Sequence, residues 1–437
     1  MKQSNYNFFF PYEADASKVI AYNSFTNALA LMEKEKHEVF ETFAQRGVEI
    51  TDDEFIGQLR QGGFLIDDET NELDLLRFRM LQSRYSTKSL GLTIAPTADC
   101  NFRCPYCYEK DVLKPDYMTQ EVEDVIVKMV EAQVKTISTL AVYWYGGEPL
   151  MNIPTVERLS KRFIALCEEN NITYSASMIT NGYLMTEKIV KLLQELQVSR
   201  IQITLDGVAE THDKRRPLTD GSGTFSIIVD NLEKYKEWLP TVSLRINIDK
   251  TNAGAGAEIT KLLGDKRLLD KVHPYLGRVT ADNDDYDKGS CFSCGGFSEE
   301  EFEYFKEFES GGEGFMRRYP RQKRNYCSAD SLNSYVIAAD GGLYKCFMDI
   351  GNKSQAMGNL INPEKDKYQS PLGYMLYDPT VDDMCMKCNL LPVCMGGCPE
   401  KRISCEERCS SYKFSLDDFI KVIVQRLKAK QDSNGKK

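Results

Sequence analysis

Between Leu90 and Val279 the chain alternates six strand-like runs with stretches of helical character, which constrains the fold more than any other feature of its 437 residues. The runs begin near Gly91, Leu140, Thr173, Ser199, Val242 and Val272 and are short, apolar and rich in β-branched residues. Thr119, backed by Glu121 and Glu123, opens the first intervening helix, and Pro154 suits the first turn of the next. Strands separated by helix-length crossovers pair in parallel, so an α/β domain with a parallel, barrel-like sheet is expected. In barrels of this kind the chemistry gathers at the C-terminal ends of the strands.

Directly after the first strand come Cys100, Cys104 and Cys107, spaced C-x3-C-x2-C. Three thiolates from one loop leave one coordination position open. A structural zinc site closes itself with four ligands, whereas an iron–sulfur cubane held by three cysteines keeps one iron available. A zinc knuckle remains the alternative on these residues alone. With fourteen cysteines and only three histidines, His37, His212 and His273, metal or cluster ligation by thiolate explains the composition better than disulfides or histidine sites. A formal net charge of -10 argues against nucleic-acid binding. No apolar run is long enough to span a membrane and the N-terminus has no apolar signal core, so a cytoplasmic protein is expected.

The triplet resembles the signature of the radical S-adenosylmethionine (radical SAM) enzymes. The resemblance implies a [4Fe–4S] cluster whose open iron chelates S-adenosylmethionine, and one-electron cleavage to a 5′-deoxyadenosyl radical that abstracts hydrogen. Gly146, Gly147 and Glu148, after the second strand, match the GGE motif of that family. By the same analogy Tyr106 lies next to the adenine, Ser177 and Asn181 near the ribose, and Arg245 pairs with the methionine carboxylate. Asp206, His212, Asp213 and Arg216 resemble a stretch frequent in the peptide-modifying subgroup; for His212 a loop-capping role is the simpler reading. No catalytic side chain is assigned beyond the cluster.

A second pattern occupies the C-terminal third. Cys327, Cys346, Cys385, Cys388, Cys394, Cys398 and Cys409 follow the spacing of a SPASM domain, which in that family holds two auxiliary [4Fe–4S] clusters. Carried over, Cys385, Cys388, Cys394 and Cys409 hold the outer cluster, and Cys327, Cys346 and Cys398 the inner one. Cys291 and Cys294 are candidates for the missing inner ligand, and Cys405 competes with Cys409 for the outer one. Otherwise an open inner iron could take a substrate thiolate. Cys167, on the apolar face of a helix, reads as a small buried hydrophobe.

Residues 1–85 carry three strand signals, near Asn7, Lys18 and Ala28, two helical stretches and a short strand after Gly63. This order resembles the winged-helix peptide-recognition domain of such enzymes, which binds a leader peptide as an added edge strand; a helical cap is the alternative. The expected architecture is therefore α/β, with a winged-helix domain over residues 1–85, a partial (β/α)6 TIM-like barrel over 86–280, a bridging region over 281–325, and an iron–sulfur SPASM domain over 326–437. The resemblance implies three [4Fe–4S] clusters, S-adenosylmethionine, a ribosomal precursor peptide and a flavodoxin- or ferredoxin-type electron donor. It is strongest to thioether-forming maturases of the ranthipeptide and sactipeptide type. A carbon–carbon crosslinking cyclase, an anaerobic sulfatase-type formylglycine maturase and a non-catalytic zinc-binding peptide adaptor are the alternatives.

Overall fold

The computed structural model describes residues 1–280, 282–311, 313–363, 369–403 and 408–434. The chain divides into two compact units. The first comprises Met1–Arg84, Cys294–Cys327 and Tyr377–Lys437, and the second Tyr85–Ser293 and Ser328–Leu376.

In the first unit, β1 (Lys2–Gln3) pairs with β5 (Leu65–Ile66), while β2 (Asn7–Pro11), β3 (Lys18–Asn23) and β4 (Ala28–Glu33) form an antiparallel sheet in that order. The period-2 alternation of a strand distributes its aromatic run over both faces. Phe9 packs against Phe40 and Phe64, while Phe8 and Phe10 pack in a second cluster with Ile20, Tyr22 and Ile420. Helices α1 (Lys34–Arg46) and α2 (Asp53–Gly62) follow, and the Asp52 carboxylate caps α2 by accepting from the Phe55 N–H at 2.9 Å. The third helix, α3 (Glu72–Arg84), was not visible in the sequence pattern. Leu73, Leu75, Leu76, Phe78, Met80 and Leu81 surround it on all sides, so no single apolar stripe announces it.

The second unit is built on a sheet ordered β11-β10-β9-β8-β7-β6-β12-β13-β14. Its parallel strands β6 (Ser89–Ile94), β7 (Thr139–Trp144), β8 (Thr173–Ile179), β9 (Val198–Leu205), β10 (Thr241–Ile248) and β11 (Val272–Arg278) lie within a few residues of their expected places. Between them run α4 (Gln120–Glu131), α5 (Ile153–Asn170), α6 (Glu187–Glu195), α7 (Ala209–Arg215), α8 (Phe225–Lys234) and α9 (Ala255–Asp265). Leu92, Ile94, Leu140, Trp144, Ile203 and Ile246 are fully buried, as parallel strands covered by helices require. Cys167 on α5 is 2% exposed, in keeping with a packing role. Beyond the expected six, β12 (Ser334–Ile337) joins β6 in parallel, and β13 (Gly342–Tyr344) and β14 (Gly358–Asn359) extend the sheet in antiparallel fashion.

Candidate functional site

Because the strands are parallel, β6 to β10 deliver their C-terminal ends to one edge of the sheet, and the cysteine loop leaves from β6 there. The loop is shaped by local hydrogen bonds. The Thr97 hydroxyl accepts from the Asp99 N–H at 3.0 Å, the Asp99 carboxylate accepts from the Cys100 N–H at 2.9 Å, and the Cys107 N–H donates to the Cys104 carbonyl at 3.2 Å. Asn283 donates to the carbonyls of Pro105 and Cys107, both at 3.0 Å. Burial is the main influence on all three thiols: it raises those of Cys100 and Cys104 and pushes Cys107 up to about 12.

The loop after β7 explains its two glycines by close approach. At Gly147, where φ is +35°, a Cβ would lie 2.0 Å from the Asp99 carbonyl oxygen; at Gly146, with φ +75°, it would lie 2.2 Å from the Ala95 Cβ. Any side chain there would push the cysteine loop away. Glu148 is 1% exposed, and its oxygens accept from the Thr180 hydroxyl and the Asn181 N–H, both at 2.7 Å, and from the Leu150 N–H at 3.0 Å. Burial raises its carboxyl, and these donors work against the rise. Asn181 in turn donates at 2.8 Å to Asn101, inside the cysteine loop. One carboxylate thereby ties together the loops that follow β6, β7 and β8.

Tyr106, between the second and third cysteines, points its hydroxyl into a buried charge network. It donates to Asp206 at 2.6 Å and accepts from Arg216 at 3.0 Å and from Asn247 at 3.3 Å. Arg215 bridges the two fully buried carboxylates, reaching Asp206 at 2.8 Å and Asp249 at 2.9 Å, and it also meets the Tyr286 hydroxyl at 2.8 Å. Burial works against the Asp249 carboxylate, but hydrogen bonds from Thr251, Tyr286 and Arg215 outweigh it and hold its carboxyl below the usual range. Arg215 and Tyr286 were not singled out in the sequence; the adjacent arginines after His212 and Asp213 were the available signal. Arg245 on β10 donates to Asn247 at 2.6 Å and to the Arg278 carbonyl at 3.2 Å, and Gly277 leaves room for it, since a Cβ there would stand 2.4 Å from Nε. Ser177 lies on β8, half-buried.

His212 is fully buried and caps its loop, as its sequence context suggests: Nδ1 accepts from the Asp206 N–H at 3.2 Å, and Nε2 meets the Thr224 hydroxyl at 3.1 Å. Burial, with Arg216 adding to it, lowers its pKa from 6.5 to about 3. A folded value below the unfolded one means this histidine contributes stability above pH 6.5 that is lost as pH falls toward 3. The melting temperature of the parent chain is expected to drop across that window more steeply than that of His212→Gln, at roughly 1.4 kcal/mol per pH unit for the histidine's own share. Parallel pH profiles for the two proteins would rule this out.

The first unit holds a second group of cysteines. The Cys385 N–H is fixed by Asp382 at 3.1 Å, the Cys388 N–H donates to the Cys385 carbonyl at 3.0 Å, and the Cys394 N–H donates to the Leu390 carbonyl at 3.0 Å. Cys409 follows Arg408, whose backbone lies against Gly397, between Cys394 and Cys398. Gly397, with φ +76°, packs where a Cβ would meet the Arg408 carbonyl oxygen at 2.0 Å. Cys346 and Cys291 belong to the second unit, and Cys405 lies outside the described residues.

Among the described residues no three His, Cys, Asp or Glu side chains converge as closely as a single metal ion requires. The ligands of a cubane bind separate irons, so the three-cysteine loop fits a cluster better than a mononuclear zinc. Polar ligand atoms also have receivers nearby: the buried Asn101 Nδ2, Arg215 Nη2 and Arg216 Nε have no hydrogen-bond partner among the described residues. Donor set and orphaned polar groups together fit a cluster and a polar cofactor.

Residues 94–263 match the profile of the Radical SAM superfamily. The chain is 25% identical over 207 residues to the radical SAM cyclopropyl synthase TigE of Paramaledivibacter caminithermalis, covering 42% of this chain but 41% of that protein, less than half its length. It is 24% identical over 355 residues to the cysteine-type anaerobic sulfatase-maturating enzyme of Clostridium novyi, covering 71% of this chain and 88% of that one. Among solved structures, anSMEcpe with bound AdoMet and the Kp18Cys peptide superposes with a TM-score of 0.60 at 20% identity, over 79% of this chain and 99% of that chain. Streptococcus suis SuiB bound to its precursor peptide SuiA superposes with a TM-score of 0.53 at 13% identity, over 94% and 98%. These superpositions establish a shared fold. Residues 94–263, with the cysteine loop at the strand ends, carry a Radical SAM domain, and members of that superfamily use a [4Fe–4S] cluster and S-adenosylmethionine.

Proposed function

We propose that this chain is a peptide maturase that installs intramolecular thioether crosslinks, from cysteine sulfur to carbon, in a ribosomally made precursor peptide. One observation carries the reading: the three-cysteine loop at the strand ends coexists with a separate run of cysteines in the first unit, Cys385, Cys388, Cys394 and Cys398, shaped by local backbone hydrogen bonds. In this reading Cys100, Cys104 and Cys107 hold the SAM-binding cluster, Cys385, Cys388, Cys394 and Cys409 an outer auxiliary cluster, and Cys327 and Cys398 are ligands of an inner one, with Cys294 as a further candidate. Cys100, Cys104 and Cys107 would hold the cluster to which S-adenosylmethionine binds, and that pair would supply radical hydrogen abstraction at a substrate carbon.

The protein's own residues do the positioning. Tyr106, Gly146, Gly147, Glu148, Ser177, Asn181 and Arg245 line the place for the cofactor, and the planar Arg245 guanidinium suits a carboxylate. Glu148 holds three loops in register, and the glycines keep the cysteine loop close to the sheet. Residues 1–85 act as a winged-helix domain for the leader peptide. The antiparallel sheet β2-β3-β4 supports this, because its outer strands offer main-chain groups to an added strand. A flavodoxin- or ferredoxin-type protein supplies the electron, and the SPASM assignment of residues 326–437 belongs to the same reading.

The test is the mass of a cysteine-rich precursor peptide co-expressed anaerobically with the enzyme, before and after thiol alkylation. A product lighter by two hydrogens per crosslink, with matching loss of alkylatable thiols, is expected. The same mass loss with every thiol still reactive would move the assignment to carbon–carbon crosslinking. A formylglycine maturase is the second reading, favoured by the 88% coverage of the Clostridium novyi relative; it would appear as an aldehyde in place of a single cysteine or serine.

A further inference from the structure

One segment of the first unit runs against the charge of the whole chain. Across residues 316–324 stand Arg317, Arg318, Arg321, Lys323 and Arg324 with no acidic residue, in a protein whose 65 acidic side chains outnumber its 55 basic ones. Arg318 is spent internally, pairing with Glu301 at 2.6 Å and Glu309 at 2.9 Å. Arg317, Arg321, Lys323 and Arg324 are exposed, and among the described residues no carboxylate lies within ion-pair distance of them. A solvated face would normally mix signs; four unneutralised cations within eight residues make a local positive field.

The segment is also held in place. Asn27, in the turn between β3 and β4, accepts from the Gln322 N–H at 2.8 Å, and its carbonyl accepts from the Tyr319 hydroxyl at 2.7 Å; the Tyr22 hydroxyl reaches the Pro320 carbonyl at 3.1 Å. On the other side the Lys323 N–H donates at 2.9 Å to the carbonyl of Pro392, between Cys388 and Cys394. The Lys323 ammonium stands 4.7 Å from the ring of Tyr326, which directly precedes Cys327. The backbone that carries the cations is thus anchored beside the cysteine-bearing segment of the first unit.

We propose that Arg317, Arg321, Lys323 and Arg324 form the docking surface for an acidic one-electron carrier protein, which delivers its electron at the neighbouring cysteine group. This rests on the reading that those cysteines hold a cluster. The carrier is oxidised by one electron and the cluster reduced by one, with no bond made or broken. A rigid positive patch beside a redox centre favours such a partner over an acidic peptide, because electron transfer needs short separation and rapid, salt-sensitive encounter, which exposed charges supply.

The probe is an acidic flavodoxin, and the readout its dissociation constant for the anaerobically reconstituted full chain at low and high salt. Arg321→Glu/Arg324→Glu is expected to weaken binding on the order of tenfold at low salt, with the difference fading at high salt as screening shortens the field. Arg321→Lys/Arg324→Lys should retain affinity. Iron content, melting temperature and dithionite-driven cleavage of S-adenosylmethionine should match the parent in both. Unchanged flavodoxin affinity in the charge-reversed protein overturns the proposal, as does loss of precursor-peptide binding in place of flavodoxin binding. Failure of the enzymatic reading itself would register separately, as a parent chain that cleaves no S-adenosylmethionine with dithionite.

Discussion

If, as proposed, the chain holds three four-iron clusters, Cys104→Ala is expected to abolish reductive cleavage of S-adenosylmethionine and to remove about a third of the bound iron, since one cluster loses a ligand from a set with none to spare. Cys104 is held by the chain on both sides: its carbonyl takes the Cys107 N–H, and the side chain between them, Tyr106, is anchored on Asp206 and Arg216. Neither neighbour supplies a replacement thiolate. Cys388→Ala should also lower iron by about a third, yet leave dithionite-driven cleavage intact, because it belongs to the other unit's cysteine group. Iron analysis together with high-performance chromatography of 5′-deoxyadenosine distinguishes the two. Full iron content with unimpaired cleavage in the Cys104 variant would remove the three-cysteine loop from the mechanism.

Arg215→Met should be the most destabilising exchange in the second unit outside its apolar core. The guanidinium is the shared cation of Asp206 and Asp249, both 0% exposed, so its loss leaves two buried carboxylates without the charge that bridges them, held only by their remaining hydrogen bonds and the more distant Arg216. Breaking a buried pair by removing one member costs about 3–5 kcal/mol. At roughly 2–4 °C per kcal/mol for a domain of this size, the melting transition of the second unit should fall by about 6–20 °C. Neutralising the stranded carboxylates in Arg215→Met/Asp206→Asn/Asp249→Asn should recover part of the loss, since residues of one network are not additive. A triple variant less stable than the single one would mean that the acids find other partners. Tyr106 hangs on Asp206, so iron loading by the single variant is expected to decline as well.

How much of this was legible in the chain depended on distance along it. The cysteine loop was, because its three cysteines sit within eight residues directly after a strand. The parallel strands were, because each is an uninterrupted apolar run between helix starts and ends. Helix α3 was not, since the exposed Leu75, Phe78 and Leu81 spread apolar residues around a helix that buries only the face of Leu76 and Met80, and so blur the one-sided stripe that marks a surface helix. The seventh parallel strand, β12, was hidden too: four residues at Ser334–Ile337 carry little signal until Leu92 and Ile94 of β6 are seen waiting beside them.

The amino-acid sequence by itself determined the alternating architecture, the thiolate chemistry and the two cysteine groups, because local spacing and periodicity encode all three. Only the tertiary structure decided what surrounds them. It made Glu148 a tie between three loops, set Tyr106 on an aspartate 100 residues away, and placed Arg215 between two acids from different strand ends. Such partners meet because the parallel sheet aligns the C-terminal ends of its strands. Burial then makes each pairing obligatory, since a charge removed from water must find its counterpart inside the fold.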